Sequence, residues 1–419
     1  MGIKNRLIIM NFLQFFIWAC WLITIGAYWF QNKGWSGAEF GAIFSTMGIA
    51  SLFMPTLAGI IADRYVNAER LYAILHFLGA LVLIYIPQVD NPSDFFWAIL
   101  LCVIFYMPTL ALSNSIAYTI LKNNNTTDLV KDFPPIRVWG TVGFVAALWV
   151  ISLTHNETSA NQFYIAAASA IVLAIYSLTL PKCPPLAGST DKRSFIEILG
   201  LNAFKLFKDL KIAIFFIFAM FLGASLQLTN AYGDTFLHDF ANVDIYKDSI
   251  AVKYPAIIMS ISQISETLFI LAIPFFLKRF GIKQVMLISM VAWILRFGLF
   301  AYGNPSDGLW MIIMSCIVYG MAFDFFNISG SLFIETYTDP KIRSSAQGLF
   351  MMMVNGFGAV SGSLISGYAI EKYFTLADGV TKNWNGIWLT FAIYSLIVAI
   401  LFAILFKHKH EDSVEVKVN

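Results

Sequence analysis

Apolar residues run along this chain in long unbroken blocks separated by short polar stretches, not in alternation or in one-sided stripes. A helix that crosses a bilayer needs about 20 predominantly apolar residues. Twelve runs qualify, at about 7–30, 38–62, 71–88, 95–121, 137–154, 160–181, 211–233, 254–277, 283–302, 308–335, 345–370 and 384–406. The pattern predicts an all-α membrane protein of twelve transmembrane helices. One linker, "KCPPLAGSTDKRSFIEILGLNAFKLFKDLK", is much longer than the rest. It divides the chain into a six-helix bundle over 1–181, a linker over 182–210, a second bundle over 211–407 and a tail over 408–419. Inside the linker Phe195, Leu199, Ala203, Leu206 and Leu210 recur at helical spacing with lysines between them. That predicts an amphipathic helix lying on the membrane face and tethering the two bundles.

Composition excludes the soluble alternative. The chain is 58% hydrophobic and 12% charged, with a mean hydropathy of +0.72, against about 25% charged for a typical soluble domain. A net charge of +2 argues against nucleic acid as a partner. The four cysteines (Cys20, Cys102, Cys183, Cys316) show no CxxC spacing and read as small buried thiols. No metal or cofactor is expected. Met1 to Arg6 leads straight into a first apolar run too long for a cleavable signal.

The basic residues orient the spans. Twenty-one lysines and arginines fall on the side of the amino terminus, among them Lys4, Arg6, Arg64, Arg70, Lys278, Arg279 and Lys407. Only Lys33, Lys247, Lys253, Lys372 and Lys382 fall on the other. The asymmetry predicts that both termini are cytoplasmic. Asn124 and Asn125 then begin sequons on the wrong side for glycan attachment.

The two bundles echo each other: the fifth run opens "PPIRVWGTVG" and the eleventh "DPKIRSSAQG". Two related six-helix halves describe a major facilitator superfamily transporter. The loop "GIIADRYVNAER" resembles that superfamily's gating signature between the second and third helices, with matches at Gly59, Ala62, Asp63 and Arg64. Val66 and Asn67 depart from it. Gly358 and Gly362 have the spacing that lets helices approach closely.

Polar side chains inside the runs locate the chemistry. A carboxylate at the bilayer centre costs about 2.5–3.5 kcal/mol even on lenient scales, yet Asp324 sits in "YGMAFDFFNISGSLFIE". Four pairs or triplets lie one helical turn apart and so share a face. They are Gln227 with Asn230, Gln263 with Glu266, Asp324 with Asn327, and Arg137 with Thr141 and Phe144. Such faces belong against a bundle interior or a wet cavity. Carboxylates accept hydrogen bonds from vicinal hydroxyls, amides read a base edge, and Phe144, Phe323 or Phe325 can stack on a flat ring. The set suits a neutral polyhydroxylated ligand with a heteroaromatic part. Burial disfavours the charged form of a carboxylate, and a nearby arginine or substrate restores it. Asp324, Glu266 or both are therefore expected to link proton entry to substrate movement.

Plainer readings compete. Arg137 is equally a positive anchor at a helix end. Arg296 reads as the ion-pair partner of Glu266 or Asp324, the amides as interhelical glue, His76 as a packed histidine and Glu335 as a solvated edge residue.

At these residues the chain resembles a family. "DFPPIRVWGTVGF", "SISQISETLFI", "AWILRFGLFAYG" and "YGMAFDFFNISGS" are similar to stretches of bacterial nucleoside permeases of the nucleoside:proton symporter family, as are "NFLQFFIWACWLITIGAYWF" and "GIASLFMPTLAGIIAD". The resemblance covers essentially all twelve spans. It implies proton-driven uptake of purine and pyrimidine nucleosides through a cavity between the halves; the expected setting is a bacterial inner membrane and the expected state a monomer. It also implies substrate contacts at Arg137, Thr141, Phe144, Gln227, Asn230, Gln263, Glu266 and Asp324, with first-helix contacts expected at Gln14 and Trp18. The competing expectations are a proton-coupled sugar or oligosaccharide symporter and a transporter-like sensor. No metal-ligand spacing, nucleophile–base pair or phosphate loop supports an enzyme.

Overall fold

Backbone polar groups in hydrocarbon must be satisfied within their own segment, which leaves helices as the way across for a chain of this pattern. The computed structural model describes residues 2–124, 132–185, 201–338, 343–377 and 381–408. Its long helices are α1 (Ile3–Asn32), α2 (Gly37–Arg64), α3 (Ala68–Tyr85), α4 (Pro92–Asn123), α5 (Pro134–Leu153), α6 (Asn161–Ser177) and α7 (Leu210–Asp239). Pro255–Tyr302 follows, broken at Gly281 into α8 and α9, and then α10 (Leu309–Tyr337), α11 (Ser345–Phe374) and α12 (Trp384–Leu405). Each of the twelve apolar runs lies on one of these helices. Among the described residues ten continuous helices are long and apolar enough to span a membrane, because α8 and α9 count as one and α6 is shorter. The chain is a multi-pass membrane protein.

Breaks in the helices follow local chemistry. Gly281 has φ 76°, a left-handed value that costs a glycine nothing, and it ends α8 inside "KRFGIK". α10 bends at Phe323, between Ala322 and Asp324, and the Ser289 hydroxyl of α9 donates to the Ala322 carbonyl at the bend. The helical pattern proposed for the linker appears as a short 3₁₀ segment, Leu201–Lys208, while Phe195 and Leu199 lie outside the described residues.

The ends of the bundle differ. At the end carrying the termini, Lys4 pairs with Asp132, and buried Glu69 accepts from the Cys183 amide at 2.8 Å and from Asn67 at 3.0 Å. Burial pushes the Cys183 thiol up to about 12. At the distal end the first six helices meet the last six. The Gly37 amide donates to Glu371, Trp149 donates to Ser260, Phe40 stacks edge-on against Tyr232, and Glu157 pairs with His238 at 2.8 Å. α2 and α11 touch so closely that a Cβ at Gly41 would sit 2.8 Å from the Gly367 Cα, with the Ser363 carbonyl nearer still. Gly358 and Gly362 serve a different contact: they pack on Gly223 and Ala224 of α7, within the last six helices.

Candidate functional site

Between α1 and α5 on one side and α7 to α10 on the other lies a small cavity with room for roughly one water molecule. Its wall includes Ile23, Phe144 and Leu148 from the first bundle and Asn230, Gln263, Arg296 and Tyr319 from the second. A space this small takes no nucleoside-sized ligand, so the site is collapsed in this conformer, whose distal end is shut. Helical spacing accounts for the convergence: residues three or four apart share a face, so α7 presents Gln227 with Asn230 and α8 presents Gln263 with Glu266.

The charges gather beside this cavity. Asp324 is 7% exposed, opens the second segment of α10 and has a carboxylate oxygen with no hydrogen-bond partner. Glu266 is half-buried and lies within electrostatic reach of both Asp324 and Arg137. Arg137 lies within electrostatic reach of both carboxylates, and its guanidinium is 4.0 Å from the centre of the Phe15 ring. Phe144 lines the cavity and meets Trp18 of α1 edge-on at 6.4 Å. The buried Gln227 carbonyl oxygen has no protein partner either. Two amide side chains, Arg296, Tyr319 and the Phe144 ring thus line one small space, and Tyr319 lies within electrostatic reach of both acids. That combination holds a ligand with hydroxyls at one end and a planar ring at the other.

Arg296 differs from the expectation of an ion pair with Glu266 or Asp324. Its Nε donates to Thr229 at 3.1 Å, and one terminal nitrogen donates to the Ser315 carbonyl at 2.8 Å and to Ser262 at 3.4 Å. Tyr319 lies 4.5 Å from the guanidinium and Phe300 4.9 Å. The rotation of α9 about its own axis decides this, and hydropathy carries no information on that rotation.

Other expected residues go elsewhere. Thr141 lines an apolar crevice between α5 and α8, near Thr267, and not the cavity. Gln14 points away from the cavity: its amide donates to Thr109 at 2.8 Å, and its carbonyl meets Tyr72 and the His76 ring. That network supports the packed reading of His76. Asn327 is half-buried one turn beyond Asp324. Gly59 and Arg64 occupy the last turns of α2, and the Asp63 side chain lies outside the described structure.

Tyr319, Thr229 and Ser262 are polar cavity residues that the sequence did not single out, and Tyr319 is the largest of them. It is 4% exposed and interacts electrostatically with Glu266, Asp324 and Arg296. A tyrosine hydroxyl in mid-span needs a partner, and that need was the available signal.

A family model described as nucleoside H+ symporter matches residues 1–411. The nucleoside permease NupG of Escherichia coli is 52% identical over 411 residues, covering 98% of this chain and 97% of that one. The xanthosine permease of the same organism is 53% identical over 412 residues, with the same coverage. The crystal structure of the nucleoside transporter NupG superposes with a TM-score of 0.91 at 51% identity, covering 98% of this chain and 100% of that one.

Proposed function

The chain belongs to the nucleoside H+ symporter family, whose members are transporters and not enzymes, and from that premise we propose that it imports purine and pyrimidine nucleosides with protons by alternating access. Its major facilitator fold supplies the frame. We assign residues 1–181 and 211–407 as the two moving bundles, with 182–210 as tether and 408–419 as tail. We place both termini in the cytoplasm of a bacterial cell, the protein in its inner membrane as a monomer.

The observation that carries this reading is the meeting of Arg137, Glu266 and Asp324 beside a cavity walled by amides and an aromatic ring. In our reading the ribose hydroxyls donate to Asp324 or Glu266, while Gln227, Asn230 and Gln263 read the base and Phe144 packs on it. Asn327 extends the acidic face, and Thr141 contacts substrate only in a conformer where α5 and α8 have shifted. Two carboxylates and one guanidinium share a chamber, so a proton entering it changes which acid Arg137 compensates. That exchange is the coupling step we assign to Asp324 and Glu266. With the distal end shut, the present conformer belongs to the part of the cycle after external substrate has been taken in. Gly59, Asp63 and Arg64 sit at the cytoplasmic end of α2, where we place the gating loop.

Purified protein in liposomes tests the proposal. Uridine should accumulate when a proton gradient, acidic outside, is imposed, and adenosine but not free ribose should compete. Competition by ribose or a disaccharide would instead favour the sugar symporter, and absence of uridine flux would favour a sensor.

A further inference from the structure

A second charged cluster lies at the distal end, remote from the acids of the central cavity. Glu157, in the connection between α5 and α6, faces Asp234 and His238, which are one turn apart on α7. The Glu157 Oε2 and His238 Nε2 atoms are 2.8 Å apart, and the same nitrogen is 3.4 Å from Asp234 Oδ2. All three ligand atoms lie within 4.8 Å of one another. Asp234 is 0% exposed and neither of its carboxylate oxygens has a hydrogen-bond partner. A buried carboxylate that accepts no hydrogen bond costs several kcal/mol unless a cation faces it. We propose that Glu157, Asp234 and His238 form a site for a divalent transition-metal cation of the zinc class, and that the bound ion clamps the distal end shut.

Three features fit such an ion. Imidazole nitrogen and carboxylate oxygen are both zinc ligands, and three protein ligands leave a fourth position for water. Ligand atoms about 2.0–2.2 Å from a tetrahedral ion stand roughly 3.3 Å apart, between the 2.8 and 3.4 Å separations of His238 from the two carboxylates. With the imidazole neutral, the two carboxylates carry two negative charges, which a divalent ion cancels. The second coordination shell is partly in place, because the Ala256 amide at the start of α8 donates to the other Glu157 oxygen at 3.1 Å. Asp239 adds negative potential nearby and is itself engaged by Trp384 and Lys382. The His238 side chain is 11% exposed, which puts the site at the edge of the distal solvent.

The clamp follows from where the ligands come from. Glu157 belongs to the first bundle and the other two to the second, so the ion would bridge a seam that must part when the distal end opens. Metal on that side should therefore slow transport without entering the substrate cavity. The test adds Zn²⁺ alone to the full chain and reads two quantities. In detergent, Zn²⁺ should raise the melting temperature of the wild type by several degrees, and Glu157→Gln, Asp234→Asn and His238→Ala should each lose the shift. In liposomes, micromolar Zn²⁺ on the distal side should slow uridine uptake at least fivefold, reversibly with a chelator. Each variant is compared with its own metal-free rate, and the variants should respond less than twofold. Should His238→Ala fail to fold, Asp234→Asn and Glu157→Gln carry the test. Absence of a thermal shift in the wild type, or equal shifts in wild type and Asp234→Asn, would overturn the site. A shift without slowed uptake would overturn the clamp.

Discussion

Replacing Gly41 by alanine separates the two ends of the molecule energetically. In the distal-closed conformer the new Cβ would stand 2.8 Å from the Gly367 Cα, where ordinary contact begins at 3.4 Å. α2 and α11 must therefore part by at least about 0.6 Å, and both obstructing groups are backbone, which cannot rotate away. Overpacking of this kind costs about 1–3 kcal/mol. Alanine also favours the helix by about 1 kcal/mol over glycine, but it does so in every conformer and drops out of the balance between them. The distal-closed population should fall about 5–150-fold relative to distal-open. The assay uses Ser366→Cys, a buried position on α11 near the seam, and a membrane-impermeant maleimide. The four native thiols are buried and form a quiet background. Gly41→Ala should speed labelling of that cysteine from the distal side and slow uridine uptake by a similar factor. Wild-type labelling together with wild-type uptake would refute the closed seam as a station on the transport cycle.

Three further outcomes follow from particular contacts. Phe144→Ala removes the ring expected to pack on the base; stacking contributes about 1–3 kcal/mol, so the apparent KM for uridine should rise about 5–150-fold, measured by initial uptake rates. Gln14→Ala strips Thr109, Tyr72 and His76 of a shared partner, which should lower the melting temperature while leaving the order of preference among competing nucleosides unchanged. Cys183, with its thiol pushed up to about 12, is thiolate in only about one molecule in ten thousand at pH 8, so it should resist maleimide in the folded protein and react on unfolding.

Much of this architecture was legible in one dimension. Hydrophobic length alone located the spans, because lipid tolerates no other backbone arrangement here. The polar residues Asn230, Gln263, Glu266 and Asp324 announced themselves by the cost of placing them in such runs. What the pattern does not carry is the rotation of each helix against its neighbours. Gln14 and Arg296 are both polar residues in apolar runs, yet one turns into the first bundle and the other toward Thr229, Ser262 and the Ser315 carbonyl. Thr141 shares a helix face with Phe144 in sequence but sits at a crevice between α5 and α8. The bend at Phe323 and the widened π-helical turn at Met352–Gly358 depend on what packs against them, so no local residue preference predicts them. Glu157, Asp234 and His238 are too far apart along the chain to read as a unit, and only the meeting of the two bundles joins them.

Proton-to-nucleoside flux in liposomes tests the central claim most directly: uridine accumulation and internal pH are recorded together for the wild type, Asp324→Asn and Glu266→Gln. If the two acids and Arg137 share one chamber with the substrate, the wild type accumulates uridine on an imposed pH step. Asp324→Asn then gives no accumulation and no uridine-linked acidification, and Glu266→Gln shifts the pH dependence of whatever coupling it retains. Accumulation by Asp324→Asn on the same pH step, with acidification at the wild-type ratio, would contradict it.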